Sequence, residues 1–155
     1  MSDWFGKAGI AWHGGWVYWF EEDIMVCYFY HQIVANSTTE NTFTTIQLID
    51  CVMQEHKRKF TQHTDLCLRT DAGACYGGAE MAARLPYLNN WRILSHKTGE
   101  SGGNKGPGDA RFGSSKKNLD RTLLSQMGRT DIDGPMALVM TLNMRLTQAE
   151  AAYLF

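Results

Sequence analysis

Residues Ile10 to Val34 read IAWHGGWVYWF, then EED, then IMVCYFYHQIV, two apolar runs either side of a short acidic break. From Ile10 to Phe20 both alternating faces are aromatic or small, and from Ile24 to Val34 both are β-branched and aromatic. Segments of that kind suit strands in the middle of a sheet, covered on both sides. Glu21, Glu22 and Asp23 make a polar break of hairpin length between them. The stretch is therefore expected to form two adjacent antiparallel strands.

Downstream the pattern changes period. Asn36 to Asn41 is a polar loop, after which Phe43, Ile46, Ile49, Val52 and Met53 recur at helical spacing. Thr42 can cap that helix, and His56, Lys57, Arg58 and Lys59 favour its C-terminal end. Asp65 to Asp71, DLCLRTD, predicts a short buried strand that stops at an acid. Gly73, Gly77 and Gly78 mark a turn, Ala79 to Leu85 a short helix ended near Pro86, and Trp91 to His96 a further strand. Lys97 to Gly108 holds five glycines and a proline, which makes it a flexible loop. Too little chain follows for it to be a linker to a second large domain. Asp109 then opens a helix with Phe112, Leu119, Leu123 and Met127 along one face, and Gly134 to Met144 predicts a last apolar helix. An antiparallel pair followed by alternating helices and strands argues for a mixed α/β sheet flanked by helices.

A length of 155 residues fits one domain spanning 1–155, and 44% hydrophobic residues are enough for one core. The net charge of −1 does not mark a nucleic-acid binder, so the distribution of charge has to be read instead. Cys27, Cys51, Cys67 and Cys75 form no C-x-x-C pair and have no histidine at zinc-finger spacing. They read as buried free thiols of a reducing compartment. No apolar run approaches the roughly 20 residues that span a bilayer, and Met1-Ser2-Asp3-Trp4 does not open a secretory signal. The expected location is the nucleus in a eukaryote and otherwise the cytoplasm, without export and without a membrane partner.

Two acids stand out by position. Asp71 ends a predicted strand, where active sites of open α/β sheets gather, and Asp109 heads the helix after the glycine loop. Paired carboxylates are the donors that Mg2+ or Mn2+ prefers. Two such ions about 3.5–4 Å apart can stabilise the attacking and leaving oxygens of a phosphodiester cleavage. A strand terminus and a helix cap are the structural alternatives for the same two residues. Lys116 follows Asp109 by two helical turns, and Lys105, Arg111, Lys117 and Arg121 add positive charge that could seat a phosphate backbone. The loop from Gly99 to Gly106 lacks the G-x-x-x-x-G-K-[ST] order, which argues against a nucleotide-binding loop and any small-molecule cofactor. His96 could assist at the site, Glu100 is a spare acid in the loop, and His13 reads as a strand residue with an ordinary hydrogen bond. Trp16, Trp19, Tyr28 and Tyr30 could stack bases, but their places on two alternating faces read as core.

Three blocks in order, SDWFGKAGIAWH (Ser2–His13), LRTDAGACY (Leu68–Tyr76) and GNKGPGDARFGSSKKNL (Gly103–Leu119), resemble a group of transposon-derived proteins. The two later blocks are also similar to the catalytic cores of retroviral integrases, with Asp71 and Asp109 at the positions of the middle and last acids. Ala72 stands where the family has asparagine, and Gly108 precedes Asp109 where the family has cysteine. The resemblance implies an RNase H-like fold, a divalent-metal site and DNA strand cleavage or transfer. The family's first acid lies on a strand upstream of the SDWFGK block, and Asp3 is not expected to replace it. A sheet without that central strand would leave an unpaired edge prone to self-association.

The sequence thus leads to an expectation of transposase- or integrase-type phosphodiester chemistry on DNA, with Asp71 and Asp109 holding Mg2+ or Mn2+. The alternative is a catalytically inactive transposon-derived module that binds nucleic acid or protein. A thiol hydrolase built on Cys75 is a distant third.

Overall fold

The computed structural model describes residues 10–35, 41–88, 91–99, 107–125, 135–144 and 150–154. The described residues form a mixed α/β protein with two small sheets, and the chain divides into two compact units. The first unit comprises residues 1–38 and 105–155, the second residues 39–104.

In the first unit, β1 (Ile10–Glu21) and β2 (Ile24–Ala35) form an antiparallel hairpin in register from Ile10 opposite Ala35 to Glu21 opposite Ile24. The two residues between them, Glu22 and Asp23, both have positive φ, 49° and 65°. A two-residue turn of that hand matches the twist of the flanking strands. A third strand, β5 (Glu150–Leu154), lies parallel to β2, pairing Phe29 with Glu150 and Ile33 with Leu154, so that the sheet order is β1-β2-β5.

The expectation that both strands are covered on both faces holds only where neighbours exist. Tyr30, His31, Gln32 and Ile33 of the central strand are buried, beside β5 and the last helix, Pro135–Asn143, which contributes Leu138, Val139 and Leu142 to this core. Towards the turn that cover ends, and Tyr18, Phe20, Ile24 and Met25 are each more than half exposed.

In the second unit, α1 (Thr42–Lys59) begins at Asn41, whose side-chain oxygen accepts from the Thr44 N–H at 2.9 Å. The cap is thus Asn41 rather than the expected Thr42, which is the first helical residue. Two short helices, α2 (Ala74–Gly77) and α3 (Ala79–Arg84), and a 3-10 turn (Leu85–Tyr87) connect β3 (Asp65–Thr70) to β4 (Arg92–Thr98), which run parallel. A parallel pair needs such a crossover. Ile49 and Met53 of α1 pack with Met81, Leu85, Leu88 and Trp91 into one core, and Leu66, Leu68 and Ile93 of the strands border it. Among the described residues only one face of this pair is covered. β3, expected to be buried, alternates between exposed and half-buried positions until Thr70. Cys67 is accordingly exposed, and the other three cysteines are free but only half-buried, not core thiols as expected.

The remaining helix, α4 (Pro107–Ser125), belongs to the first unit and carries Asp109 in its first turn. The last helix, Pro135–Asn143, is α5. No described helix is long and apolar enough to cross a membrane.

Candidate functional site

Asp71 directly follows β3 and is exposed. Its Oδ1 accepts from the backbone N–H of Ala72 at 2.7 Å, which fixes the carboxylate at the C-terminal end of the parallel pair. The register of that pair decides which groups stand nearby. Leu66 faces Ile93, but Cys67 faces Ser95, so Leu94 is the extra residue of a β-bulge. Without the bulge, side-chain alternation would put Ile93, Ser95 and Lys97 on one face and His96 on the other. With it, His96 comes to the face of Leu68 and Thr70, and its Nε2 lies 3.0 Å from Thr70 Oγ1. Partial burial lowers the pKa of His96, so the ring is held neutral and can accept the Thr70 hydroxyl proton in a hydrogen bond. The strand end therefore carries an exposed carboxylate next to a hydroxyl–imidazole pair.

The other expected site residues lie in the first unit. Asp109 is exposed at the head of α4. Behind it, α4 docks on β1 through Phe112, whose ring lies 4.8 Å from that of Trp12 and 5.9 Å from that of His31. The close approach requires glycine opposite, because a Cβ on Gly14 would come within 2.8 Å of the Phe112 ring. Ser115 Oγ lies 3.5 Å from His31 Nε2 in the same contact.

The cations of α4 gather at this docking surface. The Lys116 ammonium lies 4.8 Å from the Phe112 ring centre and 5.9 Å from that of Trp12, and the Arg111 guanidinium lies 5.9 Å from the Phe29 ring centre. Lys117 and Arg121 are exposed on the same helix. Lys105 and Glu100 lie outside the described residues. His13 makes the ordinary hydrogen bond expected of it, its Nδ1 2.8 Å from Oε1 of Gln32 directly across the hairpin.

Neither protein-family models, nor curated proteins, nor solved structures give a match to this chain. The chemistry has to be read from the residues alone.

As donors, Asp71 and Asp109 suit a hard dication: both are carboxylates, both are exposed, and only one Asp71 oxygen is engaged by Ala72. Among the described residues no group of three or more His, Cys, Asp or Glu side chains could hold a metal ion.

Of the aromatic residues weighed for base stacking, Tyr30 is core, as expected. Trp16 is not, for it stacks on Tyr18 at 4.8 Å on the open part of the hairpin. Tyr18, Phe20 and Met25 were not singled out from the sequence. Their residue types read as core, and only the lack of covering neighbours near the turn exposes them.

Proposed function

We propose that the protein is an RNase H-like domain of the transposase or integrase type, acting on DNA phosphodiesters with Asp71 and Asp109 as its metal-holding carboxylates. The observation that carries this reading is the position of Asp71 immediately after a parallel strand, beside the His96–Thr70 pair. The order of elements supports it: an antiparallel hairpin, a helix, a parallel pair joined by helices, then a helix with an acid in its first turn and basic residues behind. When bound, a divalent ion would polarise the scissile phosphate and activate the attacking water or 3′-hydroxyl. Lys105, Arg111, Lys116, Lys117 and Arg121 would neutralise the DNA backbone.

The test is Mn2+ binding by calorimetry together with nicking of supercoiled plasmid, for the parent chain, Asp71→Asn and Asp109→Asn. Saturable millimolar binding that is lost in either variant, with any nicking lost alongside, supports the assignment. Unchanged binding and nicking in both variants refute it. A second reading, a catalytically inactive nucleic-acid or protein-binding module, is favoured by the lack of a three-ligand metal group among the described residues. DNA binding indifferent to metal, without nicking, selects it.

A further inference from the structure

By alternation and register, Trp12, Trp16, Tyr18 and Phe20 of β1 share the α4-facing side of the hairpin with Phe29 and His31 of β2. Helix α4 covers one end of this side, through Phe112 on Trp12, Gly14 and His31. Among the described residues nothing covers the other end, towards the turn, where Tyr18, Phe20 and Met25 are each more than half exposed.

On the open part the rings form a row. Arg111 of α4 stands 5.9 Å from the Phe29 ring centre; Phe29 lies 6.4 Å from Trp16, and Trp16 4.8 Å from Tyr18, each pair of rings within 21° of parallel. Beyond it on the same side Phe20 is 66% exposed, and Tyr18 itself is 53% exposed. Large aromatic side chains exposed in a contiguous group are not explained by packing. A cation heads this row, and the exposed Lys116, Lys117 and Arg121 continue from it along the same helix.

We infer that this face is a binding platform for single-stranded nucleic acid, with bases stacked on Tyr18 and Phe20 and the backbone drawn to the cations of α4. Stacking on aromatic rings beside a basic track is the physical pattern by which proteins hold unpaired strands without reading sequence. A duplex cannot use it, because its bases are already stacked on each other. The ring row, not the charge, selects this occupant over an acidic peptide: both could meet the cations, but every nucleotide brings a planar base beside its phosphate, whereas carboxylate side chains bring none. Glu22 and Asp23 at the turn repel phosphate and set the outer limit of the platform. The platform shares the α4 cations with the metal-dependent reading, adds the ring row of the hairpin in place of Asp71 and Asp109, and needs no metal.

The experiment is fluorescence anisotropy of a labelled oligothymidylate of about 12 nucleotides, within the usual span of a stacking site, titrated with the full chain in EDTA at low salt. The same oligonucleotide annealed to its complement serves as the duplex control. Saturable binding that prefers the single strand is expected, with quenching of tryptophan fluorescence. Tyr18→Ala and Phe20→Ala, exposed positions whose folding is checked by circular dichroism, should each weaken it about tenfold. Lys116→Gln should weaken it at every salt concentration and lower the slope of log affinity against log salt by about one. Absent binding, equal affinity for the duplex, or folded alanine variants that bind like the parent would overturn the inference. So would self-association abolished by Tyr18→Ala without any oligonucleotide binding, which would make the face a contact between copies. Working in EDTA keeps the outcome separate from that of the Asp71 and Asp109 variants.

Discussion

His56 Nε2 lies 2.9 Å from His63 Nδ1, across the C-terminus of α1. The two rings stack within 22° of parallel, and His56 is fully buried against Phe60 and Trp91. The Lys57 ammonium donates to the His63 carbonyl and stands over the Trp91 ring. The pair thus closes one end of the second unit with one shared proton, because two imidazolium rings at that distance would repel each other.

Burial, then the charges of His63 and Lys59, push the pKa of His56 down from 6.5 to about 4. The α1 C-terminus would favour a cation by up to about 1 kcal/mol, and burial outweighs it. In the unfolded chain the ring protonates near its ordinary value, so it takes up a proton that the folded protein refuses. Stability should therefore be full above pH 6.5 and fall as pH drops from 6.5 towards 4, by roughly 3 kcal/mol for this group. Urea unfolding at pH 7.5 and 4.5 measures the difference, and His56→Phe should flatten it. An unchanged slope in that variant would show that other groups set the acid sensitivity.

Gly14 and Gly15 are neighbours in β1 with opposite demands. A Cβ at Gly14 would meet the Phe112 ring at 2.8 Å, whereas at Gly15 it would meet nothing within 4 Å. Phe112 packs against Trp12 and His31, so its ring would have to shift away from both to make room. Gly14→Ala should cost about 1–3 kcal/mol, as overpacking does. Gly15→Ala should stabilise by about 0.5 kcal/mol through lower chain entropy. Paired denaturation curves decide it; equal effects would mean that α4 does not dock here.

What the sequence disclosed, and what it hid, follows from the range of the interactions involved. The hairpin, α1, β3, β4 and the helices bearing Asp109 and Leu138 were legible because each has a local period or a local break, and the acids sit at the element ends where the pattern placed them. Asn41 and Thr42 are both cap-formers, and only the bond to Thr44 N–H separates them. The short strand Glu150–Leu154 was not legible, because alanine-rich segments make poor strands by themselves and its pairing partner is more than a hundred residues away. The bulge at Leu94, which brings His96 to Thr70, leaves no mark in composition. Nor does the exposure of Tyr18 and Phe20: their residue types say core, and only the missing cover says otherwise.

The turn of the hairpin carries a cost that substitution can remove. Glu22 and Asp23 both hold positive φ, where a Cβ crowds the backbone. Asparagine and glycine are the residues that tolerate such a two-residue turn best. Replacing the pair by Asn-Gly should stabilise the first unit by about 1–2 kcal/mol and reduce negative charge at the tip. It should leave the pairing from Glu21–Ile24 onward unchanged, which amide hydrogen exchange along β1 and β2 would report as slower opening. Faster exchange would mean that another turn is present.

The second unit should answer to a single core methionine. Met81 of α3 is fully buried and joins Ile49 and Met53 of α1 to Leu85, Leu88 and Trp91. Truncation to alanine removes three heavy atoms from a site bounded by both helices and the strands, and such cavities cost about 2–5 kcal/mol. Leu94, the bulged residue of β4, is 56% exposed, so Leu94→Ala should change stability by no more than about 0.5 kcal/mol. The contrast isolates packing from hydrophobicity, since both parents are large apolar residues in the same unit. Urea denaturation followed by circular dichroism gives both values. Met81→Ala losing no more than Leu94→Ala would mean that α3 does not close this core, and that the crossover between β3 and β4 is held by its chain connections rather than by burial.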